Sequence, residues 1–267
     1  MKRLANILRM CKAGFTNAFA LDIYKTGLKY YSSGYYKNAN SINLEQVNSE
    51  VKRSDIINFI LGFFENPTYL EIGVRNPSDN FDLIKCNTKY GVDPGIEFTL
   101  NPVDFIMTSD VFFEKLRSSD ILNDTIKFDV IFIDGLHLAE QVERDIENAL
   151  EYLSENGFVI LHDCNPPSEF HATENYDFKL SPSLGAWNGT VWKAFAKMRK
   201  RSDLNTCCID TDWGIGVINK TVKLSAASNV SNPYFEYFIM ANQRKISLGL
   251  VSYKEFRSLV NDGFSAK

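Results

Sequence analysis

The sequence lacks the glycine cradle that phosphates require: no GxGxxG occurs among its 15 glycines. That counts against a dinucleotide held by its pyrophosphate at a helix N-terminus. Cysteine is sparse and unpatterned. Cys11, Cys86, Cys164, Cys207 and Cys208 are odd in number and contain no CxxC. A disulfide framework is therefore not expected, and a reducing compartment fits better. With three histidines and no ligand spacing among His and Cys, a zinc site is not expected either. No apolar run is long enough to span a bilayer. Lys2-Arg3 before Leu4-Ala5-Asn6-Ile7-Leu8, with Ala18-Phe19-Ala20 after it, has the outline of a signal peptide, but Arg9 and Lys12 interrupt the apolar stretch. The expectation is a cytoplasmic protein without a membrane partner. There is no basic stripe either: 29 Lys and Arg stand against 33 Asp and Glu, a formal charge of -4. This argues against nucleic acid bound through phosphates. The basic run Lys197-Met198-Arg199-Lys200-Arg201 reads as the solvated end of a helix.

What is there is a chain of 267 residues, 45% of them hydrophobic, enough for one large α/β domain with extensions. Residues 1–50 are polar and tyrosine-rich (Tyr24, Tyr30, Tyr31, Tyr35, Tyr36) and are expected to form a short helix and a loop, either a lid or dimer contact in a homo-oligomer or a loosely packed surface segment. Residues 51–222 form the main domain, and 223–267 a helical tail whose last helix starts at Tyr253. From Ser54, expected to cap a helix with Ile56, Ile57, Phe59, Ile60 and Phe63 on one side, helical and strand patterns alternate. Strands are expected at Tyr69–Val74, Lys89–Val92, Phe105–Met107, Phe128–Ile133 and Gly157–Leu161, apolar enough to be buried on both faces. Between the last two, Glu140–Leu153 has helical periodicity, with Asn156-Gly157 as its stop. Thr206–Asp210 and Ile215–Asn219, joined by Thr211-Asp212-Trp213-Gly214, read as a β-hairpin, with Cys207 and Cys208 on opposite faces. The fold class is α/β: a Rossmann-like, doubly wound, mostly parallel seven-stranded sheet ending in an antiparallel hairpin, with helical N- and C-terminal extensions.

In such sheets ligands sit outside the carboxyl ends of the strands, where strand order reverses. At the first strand end, Glu71-Ile72-Gly73 offers an acid for an ammonium group and a glycine for close ligand approach. About twenty residues on, Asp93 can accept from both ribose hydroxyls; its other reading is an Asp-Pro-Gly turn. Ser109 and Asp110 either contact an adenine edge or cap the helix Val111–Leu116. Without further glycines this set points to S-adenosylmethionine, which has no phosphate. At the fourth and fifth strand ends, Asp134 and Asp163 face each other, an expensive arrangement unless a cation or a proton is shared. Oxygen ligands of this kind suit Mg²⁺ or another divalent cation. His137 stands three residues beyond Asp134 and can take a proton as general base. Asp134 belongs to both sets, cofactor and chemistry. The alternative for Asp134 and Asp163 is capping at the strand ends. His162 reads as a hydrogen-bonded structural residue, and His171 as either a pocket residue or a bystander.

Phe128–His137, the helix with Gln141, Arg144, Asp145 and Ala149, and Gly157–Asp163 together resemble the class I methyltransferases of the Asp-Gly-x-His type. Gly189–Ala194 and Asp210–Gly214 resemble further segments of that family. The active site is similar to that of metal-dependent sugar O-methyltransferases, which implies Asp134 and Asp163 as metal ligands and His137 as base. The chain departs from them at His162, where those enzymes tend to have a further acid. The resemblance implies methyl transfer from S-adenosylmethionine to a hydroxyl of a small molecule, a saccharide or natural product. In the loop Pro166–Gly189, Trp187 and Tyr176 are the aromatic residues expected to stack on a sugar or an aromatic ring. Two other readings stand beside it: a nicotinamide-dependent oxidoreductase, and a non-catalytic module that binds a partner through its tyrosines.

Overall fold

The computed structural model describes residues 18–98, 102–176 and 181–265, together with Ala5, Leu8, Arg9 and Lys12. The chain divides into two compact units, residues 1–45 with 177–186, and residues 46–176 with 187–267. In the smaller unit the described helices are α1 (Ala18–Tyr31) and α2 (Gly34–Val47), the last two residues of α2 belonging to the larger unit. The Tyr36 ring packs edge-on against Tyr30 at 5.5 Å and tilted against Tyr31 at 5.0 Å. Asn43 Nδ2 donates to Ser183 O at 2.8 Å, joining the two stretches of this unit.

The larger unit is built on one sheet. Its strands are β1 (Thr68–Ile72), β2 (Thr88–Asp93), β3 (Phe105–Ile106), β4 (Phe128–Ile133), β5 (Leu153–Leu161), β6 (Asn205–Ile209), β7 (Ile215–Asn219) and β8 (Leu250–Val251). They lie in the order β3-β2-β1-β4-β5-β7-β6-β8. β7 runs antiparallel to both neighbours, and the other pairings are parallel. Strand order reverses between β1 and β4, so the ligand crevice of this fold opens at their carboxyl ends.

The apolar runs bury both faces. On β4, Ile131 and Ile133 enter one core while Val130 and Phe132 enter the other. On β5, Val159 and Leu161 enter the first, Phe158 and Ile160 the second. Cys208 and Cys207 likewise divide between the two. Helices α4 (Ser109–Arg117), α5 (Ala139–Tyr152) and α6 (Val191–Met198) cover the first face with Phe112, Ile146, Ala149, Trp192 and Phe195. Helices α3 (Arg53–Leu61) and α9 (Tyr253–Ser265) cover the second with Ile56, Ile57, Ile60, Phe256 and Val260. Two short helices, α7 (Tyr237–Asn242) and α8 (Arg244–Leu248), lead into β8. No described helix is long and apolar enough to cross a membrane.

Several local expectations change. The sheet has eight strands, because Leu250–Val251 pairs with β6 where the tail was expected to be helical throughout. Helix α3 begins at Arg53, not at a Ser54 cap: the Asp55 carboxylate accepts from Lys52 N at 3.0 Å. Thr108, rather than Ser109 or Asp110, caps α4 by accepting from Val111 N. Helix α5 ends at Tyr152, and Asn156-Gly157 lies inside β5 rather than stopping the helix. The basic run after α6 is not all solvated. Arg199 is 2% exposed and donates to Thr206 O, Thr206 Oγ1, Ser225 Oγ and Ala226 O. The chain turns inward at the helix end, and these acceptors compensate the guanidinium's burial.

Candidate active site

Two groups of acids stand along the carboxyl edge. On the β1–β2 side, Glu71 shares a sheet face with Tyr69, two residues before it. The Tyr69 hydroxyl donates to Glu71 Oε2 at 2.6 Å, and Asn80 Nδ2 donates to the same oxygen at 2.9 Å. Burial pushes the Glu71 carboxyl up to about 7 against the pull of these donors. Asn80 Oδ1, also buried, has no partner among the described residues. Asp93, at the end of β2, accepts from Arg75 N at 2.8 Å and Gly95 N at 2.7 Å. Two loop amides thus fix its direction and leave acceptor capacity on both oxygens. Gly73 meets a constraint other than ligand approach. At φ +87°, a Cβ there would lie 2.3 Å from Asp134 O and 2.4 Å from Gly135 Cα. The glycine lets the loops after β1 and β4 touch. Ser109 Oγ accepts from Gln141 Nε2, and Asp110 pairs with Arg144, which ties both to α5.

On the β4–β5 side, Asp134 leaves β4 with its amide bonded to Ile72 O, and Asp163 leaves β5 at φ +61°. His137 lies between them. Its Nε2 is 3.2 Å from Asp134 Oδ1, and its Nδ1 is 3.2 Å from both Trp187 O and Asp163 Oδ2. Trp187 stacks on the ring at 5.1 Å and 24°, and Tyr176 lies 5.7 Å from Trp187. Thr190 N donates to His137 O at 2.8 Å. Gly189, at φ +60°, is required by that approach, since a Cβ would sit 2.1 Å from His137 O. Burial disfavours a charge on His137, but Asp163 and Asp134 raise its pKa. Asp134 resists ionisation by burial, yet His162, His137 and Arg53 hold it well below the usual carboxylate range.

Three participants have no clear mark in the sequence. Asn188, fully buried, donates from Nδ2 to Asp163 Oδ1 at 2.7 Å, while its Oδ1 has no partner among the described residues. Arg53 reaches in from the first turn of α3, its Nη1 lying 2.6 Å from His162 Nε2. Asp212 accepts from Arg53 N at 2.9 Å, 159 positions away in the chain. The turn that holds Asp212 was legible as the hairpin connection Thr211–Gly214, and in it Asp212 and Trp213 both hold positive φ (44° and 65°). His171, 1% exposed, bonds Ser168 Oγ and lies 5.7 Å from the Trp213 ring. Burial lowers its pKa to about 4, so it is a neutral residue of the packing under this turn.

Asp134, His162 and Asp163 each place one ligand-type atom within 4.8 Å of the others. Neighbouring ligands of an ion bound at about 2.1 Å stand about 3.0 Å apart in octahedral geometry. The separations of His162 Nδ1 from Asp134 Oδ1 (3.2 Å) and from Asp163 Oδ2 (3.3 Å) are of that order. The fit of a divalent cation therefore turns on whether His162 offers a lone pair or a proton.

Residues 91–164 match a family model described as a methyltransferase domain. No curated protein matches the chain. Among solved structures, an O-methyltransferase from Bacillus cereus in complex with SAH is 12% identical, covering 75% of this chain and 97% of its own, with a TM-score of 0.42. The O-methyltransferase TomG from Streptomyces achromogenes, in complex with SAM, is 12% identical over 75% of this chain and 96% of its own, with a TM-score of 0.43. The SAH-bound Podospora anserina methyltransferase PaMTH1 is 12% identical over 70% and 86%, with a TM-score of 0.42. The matched segment runs from β2 through β4 and α5 to the end of β5, taking in Asp93, Asp134, His137 and Asp163. The matched segment lies within a mostly parallel sheet that ends in an antiparallel hairpin.

Proposed function

We propose that this protein transfers a methyl group from S-adenosylmethionine to a hydroxyl of a small molecule, with a saccharide or natural product as acceptor. The observation that carries the reading is His137, set between two strand-end carboxylates and covered by an indole. S-adenosylmethionine supplies a methyl group on a positively charged sulfur. Glu71 and Asn80 Oδ1 would bind its ammonium group, and Asp93 its ribose hydroxyls. The antiparallel β7 speaks against the nicotinamide reading, whose sheets are usually parallel throughout.

The chain's own residues then manage one proton. With His137 Nδ1–H donated to Trp187 O, Nε2 is the atom that takes the proton of the acceptor hydroxyl as oxygen attacks the methyl carbon. Asp134 Oδ1 stabilises the imidazolium so formed. The methyl group leaves sulfur for oxygen, and the proton ends on His137. Tyr176, exposed beside Trp187, offers a ring face to the acceptor, and positioning donor and acceptor in line supplies much of the acceleration.

Calorimetric titration with S-adenosylmethionine should show one saturable site, and NAD should show none. Transfer of isotope-labelled methyl should then be found on a hydroxyl-bearing member of a saccharide and natural-product panel. Absence of S-adenosylmethionine binding by folded protein would sink the proposal.

A further inference from the structure

A carboxylate taken out of water needs a cation, or donors at both oxygens, to stay ionised. Glu71 is 2% exposed and has neither among the described residues. Tyr69 and Asn80, both neutral, donate to Oε2, while Oε1 receives no hydrogen bond from the described residues. The phenol stays neutral, because burial and Glu71 itself hold the Tyr69 pKa well above its usual value. Two charged groups face Glu71 from neighbouring elements. Asp134, at the end of β4, disfavours its charge, and Arg53, on α3, favours it. Arg53 is engaged elsewhere: its Nη1 lies 2.6 Å from His162 Nε2 and 3.8 Å from Asp212 Oδ2. Burial therefore wins, and the carboxyl is raised to about 7. Below that value the ligand-free carboxyl holds a proton in the place of a cation.

We propose that the ammonium group of S-adenosylmethionine displaces this proton, so that cofactor binding releases one proton from Glu71. The inference rests on the methyltransferase reading and adds to it a dependence of cofactor binding on pH. In the exchange the Glu71 O–H bond breaks, the proton passes to solvent, and an ammonium N–H donates to the carboxylate. Glu71 is then neutralised in both states, by a proton before binding and by the ammonium after it, so no unpaired charge is buried in either. The bonds from Tyr69 and Asn80 strengthen on the ionised form and favour it once the ammonium has arrived. At low pH the proton competes with the cofactor. At high pH the carboxyl is already ionised, and nothing is left to release.

The test is calorimetry of the full chain with S-adenosylmethionine at pH 6, in buffers of different ionisation enthalpy. The slope of observed enthalpy against buffer enthalpy counts protons, and it should report about one released. At pH 8 the release should vanish. S-adenosylhomocysteine keeps the ammonium group without the sulfonium charge and should release the same proton. 5′-Methylthioadenosine lacks the ammonium group and should release none. Equal release with this ligand overturns the inference, as does binding of S-adenosylmethionine at pH 6 with no proton released. Glu71→Gln should bind at pH 6 without release, and release that persists in this variant places the proton elsewhere and overturns the inference. If that variant does not fold, Tyr69→Phe removes a donor to the carboxylate and should move the loss of release to higher pH; an unmoved profile counts against Glu71. No binding of either adenosyl ligand by folded protein would remove the methyltransferase reading and this inference with it. Binding without a proton removes the inference alone, so the two failures are distinguishable.

Discussion

The two halves of the carboxyl edge solve the burial of acids differently. On the β1–β2 side, Glu71 and Asp93 are held by neutral donors, a phenol, an amide and two backbone N–H groups, all within 18 residues in sequence of the acid they hold. On the β4–β5 side, Asp134, Asp163 and Asp212 are held by Arg53, His137 and His162, drawn from separate strands, loops and a helix. The first half is locally assembled from neutral donors, and in the proposed reaction it binds the cofactor. The second draws charged partners from distant segments, and in the proposed reaction it handles the proton. Binding and chemistry should therefore be separable by mutation.

The largest expected effect is on the chemical side. His137→Ala should lower the rate of methyl transfer by about 10²–10⁴-fold, the usual contribution of a general base, with S-adenosylmethionine affinity unchanged in calorimetry. A parallel loss of cofactor binding would show that the halves are coupled.

On the binding side, the Glu71 carboxyl is raised from 4.5 to about 7, so the folded protein holds a proton that the unfolded chain has lost between those values. Stability of the ligand-free protein should fall as pH rises through this window, by at most about 3 kcal/mol. Glu71→Gln should flatten that dependence in denaturant titrations and weaken S-adenosylmethionine binding at pH 8, leaving the ionisations around His137 in place. A variant with the same pH slope as the parent would locate the proton elsewhere.

Gly189→Ala probes the frame behind His137. Strain at a positive φ and the contact with His137 O should cost about 1–3 kcal/mol of stability. Turnover should fall more than cofactor affinity in the same variant. The smallest expected effect is in the pH profile. His137 has a raised pKa and acts as base only when neutral, so the rate should climb with pH through a value above that of free imidazole. A midpoint below it would mean that the carboxylates do not govern the ring.

The strands were readable because their apolar runs report burial on both faces, and Phe128–Ile133 forms as expected. The edges of the helices were less so. Asp55, Thr108 and the early start of β5 each depend on a hydrogen bond or pairing partner that periodicity does not encode. Gly73 was visible as a necessary glycine, but its reason, contact with the Asp134–Gly135 backbone, belongs to the packing of two loops. Arg199 shows the same limit: a basic run looks solvated until the chain around it provides five acceptors.

What the sequence by itself determined is the run of core strands with its closing hairpin, and the acids that end β1, β2, β4 and β5, since apolar runs report buried strands and parallel strands end on one edge. What only the tertiary structure decided is the state of those acids. Arg53, Asn188 and Asp212 come from distant segments and meet His162 and Asp163 only in the folded chain. Hydrogen bonding acts over ångströms in space, and no spacing along the chain reports it.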